Sequence, residues 1–441
     1  MKNKERIELA QWAADYAKKC GADEVSIDIS KSRSIQLEYR EKKLEKIQDA
    51  KESVFNITVY ADKKFSSNST SDFRKPELEK FIDNAVKMTK YLAKDEFRSL
   101  PDPKYYPLPE RPDIQVYDKK YGDMNPSHRI KLVKELESAA LAQSDKINTC
   151  STSYNDDYLE SLKFNSNGFI GEQEETSFRL EADITVKDEQ TGGRPEGYER
   201  SAVRYFDDLM SIPAIAQTAV RTALEKIGQQ KLPTAGYDII IENKVMGSLI
   251  NFLLQPLYGR TLQQKNSLFE GKIGAQVASE KLTMIDDPFI PRGLASRYYD
   301  AEGLAARRIP LIEKGVLRNF LISTYYGKKL KMEPTTGNGS NLTFTLGEKS
   351  LEGLVKNMKK GVLIKGFIGG NSNPATGNFS LGVSGLYIEN GTVVKPVNEM
   401  NLTASLLTFW GNLIEVGNDP YKNSGWMTPS MLFKEVTLSG T

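Results

Sequence analysis

The feature that most constrains this chain is its hydrophobic periodicity, which switches between two and 3.6 residues in clusters along the sequence. Val25, Ile27 and Ile29 alternate with polar residues, and Ile35, Leu37 and Tyr39 repeat the pattern on what reads as the next strand. A third strand covers Val54 to Tyr60, and Ala61–Lys64 makes a turn into Phe65. Helical spacing precedes this group over residues 3–20, with Leu9, Trp12, Ala13, Tyr16 and Cys20 on one face and Gly21 as the stop. It returns near Pro76, where Leu78, Phe81, Ile82, Ala85 and Met88 are expected to point inward.

From Ser99 to Ser127 prolines dominate, including Pro107-Leu108-Pro109, and a long surface connection is expected. Ser127 reads as the N-cap of a helix running to about Ser144. Strands are expected around 146–154, 159–166, 175–187 and 198–205, with turns at 155–157 and 165–168, then a helix from Ile212 to about Ile227. The stretch 229–234 reads as a junction. Beyond it come short strands at 237–242, 311–323, 362–368, 379–390 and 431–439, and one helix near 244–258. This clustering favours an α+β fold, with an amino-terminal helix and antiparallel-sheet domain over 1–230 and a β-rich carboxy-terminal domain over 231–441.

Composition narrows the chemistry. Sixty basic and 58 acidic side chains nearly cancel in 441 residues, so no strong field gathers nucleic acid or anionic lipid. No signal-peptide core and no apolar run of membrane-spanning length occurs, and the two cysteines, Cys20 and Cys150, are too few for a disulfide framework. A cytoplasmic location is expected. Histidine, the commonest metal ligand and general base, occurs once, as His128 in the first turn of its helix. A two-histidine zinc site is therefore impossible within this chain.

Nucleotide-binding glycine motifs are absent. The glycine-rich stretch from Gly369 and Gly370 to Asn378 runs into a strand. It reads either as a tight loop beside another backbone or as a place where an extended peptide adds a strand. Asp300 and Glu302, two residues apart, would share one face of a strand and could serve acid/base chemistry or a cation.

Pro291-Arg292-Gly293-Leu294-Ala295-Ser296, Asp300-Ala301-Glu302-Gly303, the 315–321 and 373–379 phrases, Tyr387–Gly391 and Ile414–Asp419 resemble, in order, signatures of the TldD/TldE (PmbA) peptidase family. Gly21–Val25, Ile57–Tyr60 and Ser69–Asp72 extend the likeness into the amino half. Members also carry the label modulator of DNA gyrase. The resemblance implies a family in which the TldD type is a zinc peptidase with a His-Glu-x-x-x-His helix and a later cysteine, while the TldE/PmbA type lacks those ligands and pairs with it.

By that resemblance, Asn251 and Phe252 stand in the places of the first histidine and the glutamate, and Pro256 in that of the second histidine. The implication is a chain with no catalytic residue, no metal ligand and no cofactor, zinc being expected only in a TldD-like partner. Gly293, Ser296, Asp300, Glu302, Gly369, Gly370 and Asn378 become candidates for touching peptide or partner. The leading expectation is a non-catalytic subunit acting with a TldD-like paralogue on unfolded peptides. The alternatives are a homodimer that binds peptides without cutting them, and a stand-alone hydrolase using Asp300 and Glu302.

Overall fold

Helix α1 (Asn3–Lys19) ends at Gly21, whose φ of +100° fits a residue without a side chain, and Ala22 N donates back to Ala17 O at 3.0 Å. The computed structural model describes residues 3–107 and 110–440, so Met1 and Lys2 and, in the proline-rich stretch, Leu108 and Pro109 lie outside the described residues. The buried face of α1 differs from the expected one: Ala10, Ala13, Ala14 and Ala17 pack inward, while Leu9, Trp12, Tyr16 and Cys20 are only partly buried around them. Alanines let the helix axis approach the sheet closely; the larger side chains fit only at the margin.

The two alternating runs at 25–29 and 35–39 belong to one strand, β1 (Glu24–Arg40), not two. Its polar middle stays extended because both edges are paired: Ser32 lies opposite Glu52 on β2 (Lys43–Ala61) and opposite Leu159 on the far side. The strand β3 (Lys64–Thr70) follows, then α2 (Lys75–Thr89), which starts at Pro76 as expected. Met88 points outward at 65% exposure, and Val86 and Thr89 are buried instead. Thr89 is tolerated there because its hydroxyl donates to Ala85 O at 2.7 Å and meets Ser66 Oγ.

Helix α3 (Pro126–Leu141) is capped by Asn125, not Ser127: Asn125 Oδ1 accepts from His128 N at 2.8 Å and Pro126 takes the first turn. Next come β4 (Ile147–Asn165), β5 (Phe169–Val186), β6 (Glu196–Val203) and α4 (Ile212–Leu224). The turn expected at 155–157 is absent, since β4 runs straight through it. Asn155 Nδ2 donates to Ile35 O at 3.0 Å and the buried Asp156 accepts from Arg129 Nε at 2.5 Å. Tertiary partners thus hold turn-forming residues in a strand. The turn at 166–168 is as expected.

These strands form one sheet in the order β3-β2-β1-β4-β5-β6, all antiparallel. Val25, Ile27 and Ile29 join the core under α1 and α2, whereas Ile35, Leu37 and Tyr39 join the core under α3 and α4. All six have odd numbers on one strand, so both helix pairs cover the same face, side by side along the strands.

The second half begins with β7 (Ala235–Ile241), α5 (Asn243–Leu254) and α6 (Gly259–Gln263). The small strands β8 (Met284–Asp287), β9 (Ile309–Glu313) and β10 (Val316–Leu317) come next, then α7 (Thr324–Leu330), β11 (Asn341–Phe344) and α8 (Leu351–Lys356). The long strand expected at 311–323 is broken by a turn at Lys314 and Gly315, both at positive φ. Three long strands, β12 (Lys360–Ser372), β13 (Asn378–Glu389) and β14 (Thr392–Ser405), precede α9 (Leu406–Gly411), β15 (Leu413–Val416) and β16 (Met431–Ser439). The order β14-β13-β12-β7-β16 closes on itself through β14–β16 pairing, giving a barrel with β15 appended. Ile239, Ile241, Val362, Ile364 and Phe433 share a core with Met246, Leu249, Ile250 and Leu253 of α5. The fold is α+β, with an antiparallel-sheet amino-terminal part and a β-rich carboxy-terminal part. Among the described residues no helix is long and apolar enough to cross a membrane.

One pairing matters later. β12 meets β7 in parallel only over Gly361–Ile364, so from Lys365 to Ser372 its sole strand neighbour is β13 among the described residues.

Candidate functional site

Helix α5 has two unlike faces. Met246, Leu249, Ile250, Leu253 and Leu254 are buried, while Asn251 is exposed. Phe252 is half-buried against Phe379, ring centres 5.8 Å apart. Pro256 lies past the end of the helix, in a 3-10 turn, with its side chain buried and its carbonyl accepting from Ser267 Oγ at 2.6 Å. The three residues expected to mark a lost metal motif therefore do not converge on one point: a proline has no N–H to continue the helix and closes it instead. Gln255, four residues after Asn251, accepts from Ser372 Oγ at 3.1 Å on the glycine-rich hairpin. Beside it is a cavity of about 500 Å³ lined by Tyr258, Arg260, Ser323, Asn338 and Pro374.

Zinc favours thiolate and imidazole donors, with carboxylate as a third choice. The polar groups presented here by α5 are neutral amides. His128 sits on α3 against Phe206 in the amino-terminal half, Cys150 is buried in β4, and Cys20 follows α1. Among the described residues no three of His, Cys, Asp and Glu are grouped to hold a metal. The residues at α5 do not fit zinc.

Asp300 and Glu302 are not on a strand, contrary to expectation; they form a turn. Asp300 Oδ1 accepts from the N–H groups of Glu302 and Leu304 at 2.9 and 3.0 Å, and Oδ2 accepts from Gly337 N at 3.0 Å. Glu302 Oε2 accepts from Thr324 N at 2.7 Å at the start of α7. Burial pushes the Glu302 carboxyl up, against the pull of that hydrogen bond. Both carboxylates hold backbone in place. Ser296 is buried, donating to Ile290 O at 2.6 Å and accepting from Asn341 Nδ2 at 2.8 Å. A Cβ on Gly293 would fall 2.5 Å from Ser296 Oγ, so its smallness closes the loop.

Gly369 and Gly370 lie within β12, not in a loop, at φ +60° and +120°, where the ladder with β13 slips between Ile368 and Asn371. A Cβ on Gly370 would come within 2.3 Å of the Leu381 side chain and 2.9 Å of Ser380 O, so the neighbouring strand β13 does approach closely. Asn378 opens β13 and is exposed, its carbonyl accepting from Asn373 N at 2.8 Å.

A further concavity was not anticipated. A cleft of about 950 Å³ lies between the β5–β6 connection, the end of α4, the first turns of α5, and the open stretch of β12 at Gly366, Phe367 and Ile368. Lys365 pairs with Glu225 and Lys244 pairs with Glu199, while Lys231 reaches Glu399 at 3.1 Å. Lys226 differs: Nζ donates to the backbone carbonyl of Glu196 at 2.6 Å, and no carboxylate of the described residues lies within ion-pair reach. Burial lowers its pKa first, and Lys365 adds to this, opposed by Glu196, Glu242 and Glu225 at longer range. No local sequence signal marks this group, because its members come from four separated elements.

Comparison with known proteins places this geometry. Domain profiles described as PmbA/TldA metallopeptidase domain 1, central domain and C-terminal domain match residues 25–89, 119–227 and 234–440. Metalloprotease PmbA of Escherichia coli O157:H7 is 26% identical over 437 residues, covering 98% of this chain and 94% of that protein. A solved protein of Bacteroides thetaiotaomicron VPI-5482, named as a "putative modulator of DNA gyrase", superposes with a TM-score of 0.97 at 38% identity over 100% of both chains. TldE from Thermococcus kodakarensis shares the fold, with a TM-score of 0.87 at 22% identity, covering 98% of this chain and 100% of that one. Matched from its first strand to its last, this chain belongs to the PmbA/TldD metallopeptidase family.

Proposed function

We propose that this chain is the non-catalytic, TldE/PmbA-type subunit of a zinc metallopeptidase complex, acting in the cytoplasm on unfolded peptides. The observation that carries the reading is α5: the helix is intact and its buried face is packed, yet the polar groups at its carboxy-terminal end are Asn251 and Gln255. Without imidazole, thiolate or carboxylate there, no water is activated by a bound metal. Peptide cleavage then requires a TldD-like paralogue that brings its own zinc. The part left to this chain is to hold substrate extended, for which the open stretch of β12 and the glycine-rich hairpin are suited. The test is to co-express the chain with its paralogue and assay cleavage of an unstructured peptide. The pair is expected to cleave and each chain alone to be inactive; equal activity from the paralogue alone overturns an obligatory partnership.

A further inference from the structure

An extended peptide entering the cleft would meet two recognition elements, one for its backbone and one for its end. Along one wall, the edge of β12 facing away from β13 has no strand partner from Lys365 onward. Successive residues of a strand turn their N–H and C=O groups to alternate edges, so every second residue of this stretch offers a donor and an acceptor to the open side. The four residues of this edge that line the cleft, Lys365 to Ile368, span about 13 Å, enough for about four peptide residues. Ile368 is 58% exposed, an apolar side chain for a substrate strand to cover.

At the inner end stand the lysines. Three of the four that line the cleft already have carboxylate partners: Lys365 with Glu225, Lys244 with Glu199, and Lys231 with Glu399. Lys226, at the end of α4, holds only a carbonyl oxygen. Arg194, on the β5–β6 connection, also lines the cleft and forms no ion pair among the described residues. Asp188, Glu196 and Glu242 are the nearby carboxylates without an ion pair among the described residues; Asp188 accepts from Gly228 N and Thr191 Oγ1, Glu196 opens β6 at the surface, and Glu242, just before α5, has its pKa raised by burial. An ammonium with one spare side, desolvated on the other, is suited to a single incoming carboxylate.

We propose that this cleft binds the carboxyl-terminal end of an extended peptide, its backbone adding to the open edge of β12 and its terminal carboxylate accepting a hydrogen bond from Lys226 Nζ. Side chains of the peptide alternate between the cleft wall and solvent, so recognition is of chain end and extension, with little demand on sequence. The proposal deepens the peptide-handling role and assigns the chain one end of the substrate, leaving the rest to lie toward a catalytic centre elsewhere. Burial lowers the Lys226 pKa, the direction that an incoming carboxylate would reverse.

The test uses the whole chain alone, without paralogue or zinc, so it reads peptide capture independently of cleavage. An unstructured, uncharged eight-residue peptide labelled at its amino terminus is titrated by fluorescence anisotropy, as free acid and as carboxamide. The free acid is expected to bind about tenfold more tightly, the worth of one charge-assisted hydrogen bond. Lys226→Met should erase that difference and Lys226→Arg should keep most of it. N-methylation of alternate peptide amides should weaken acid and amide alike. Equal affinity of acid and amide for the unaltered chain overturns the proposal, as does failure of both to bind at millimolar concentration. An acid preference that survives Lys226→Met would move the carboxylate elsewhere and overturn the assignment.

Discussion

Two groups of charged side chains in this molecule are built differently. In the amino-terminal sheet, Arg129 and Asp156 have side chains 2% and 0% exposed, meet at 2.5 Å, and Arg129 Nη1 also donates to Met124 O. In the cleft before the barrel, Lys244 and Lys365 have partners, but Lys226 has only a carbonyl. The first group fixes α3 to the middle of β4 and does not line the cleft. The second borders about 950 Å³ of open space and keeps two cations, Lys226 and Arg194, without a carboxylate partner among the described residues. Buried charge that meets its opposite within the fold holds structure together; charge left without one beside a cavity is available to a ligand.

This contrast can be broken by substitution. Asp156→Ala would strand the Arg129 guanidinium in the core and should cost about 3–5 kcal/mol of stability, read from urea unfolding. A loss below 1 kcal/mol would remove Arg129–Asp156 as a structural pair. Glu199→Gln leaves Lys244 at the cleft boundary without its counter-charge, and a loss of about 1–3 kcal/mol is expected in the same measurement. Lys226→Met should change stability by no more than about 0.5 kcal/mol while altering peptide binding. A large destabilisation there would make Lys226 a structural residue like Arg129.

The smallest effect concerns Asp183 on β5, which has neighbours of its own sign. Although Asp183 is exposed, partial desolvation, then Glu181 and Glu196, push its carboxyl up to about 6. A carboxyl raised in the folded state holds its proton more tightly there than in the unfolded chain. Its contribution to stability therefore falls as pH rises from about 4 to 6. Asp183→Asn should flatten the pH dependence of the melting temperature in that window and leave it unchanged above pH 7. An unaltered profile would show that solvent already screens the group.

Periodicity carried the fold class because a buried face must repeat at the period of its element. It misjudged β1 as two strands, since Lys31–Ser34 is polar and the neighbouring strands that keep it extended are remote in sequence. The same blindness placed a turn at Asn155-Asp156-Asp157, where Arg129 and Ile35 supply partners that a turn would otherwise provide. Asp300 and Glu302 read as a strand pair because alternation is also what a carboxylate capping its own turn produces. The scarcity of histidine was legible outright, since a residue count does not depend on folding. The cleft was not, because Lys226, Lys244 and Lys365 are joined only by the packing of α4, α5 and β12.

The most direct measurement is the zinc content of the purified, dialysed chain, taken alongside its peptidase activity in added zinc. The account predicts far less than one zinc per chain and no zinc-dependent cleavage, since Asn251 and Gln255 offer only amide groups. One zinc held per chain, with cleavage of an unstructured peptide by this chain alone, would contradict it.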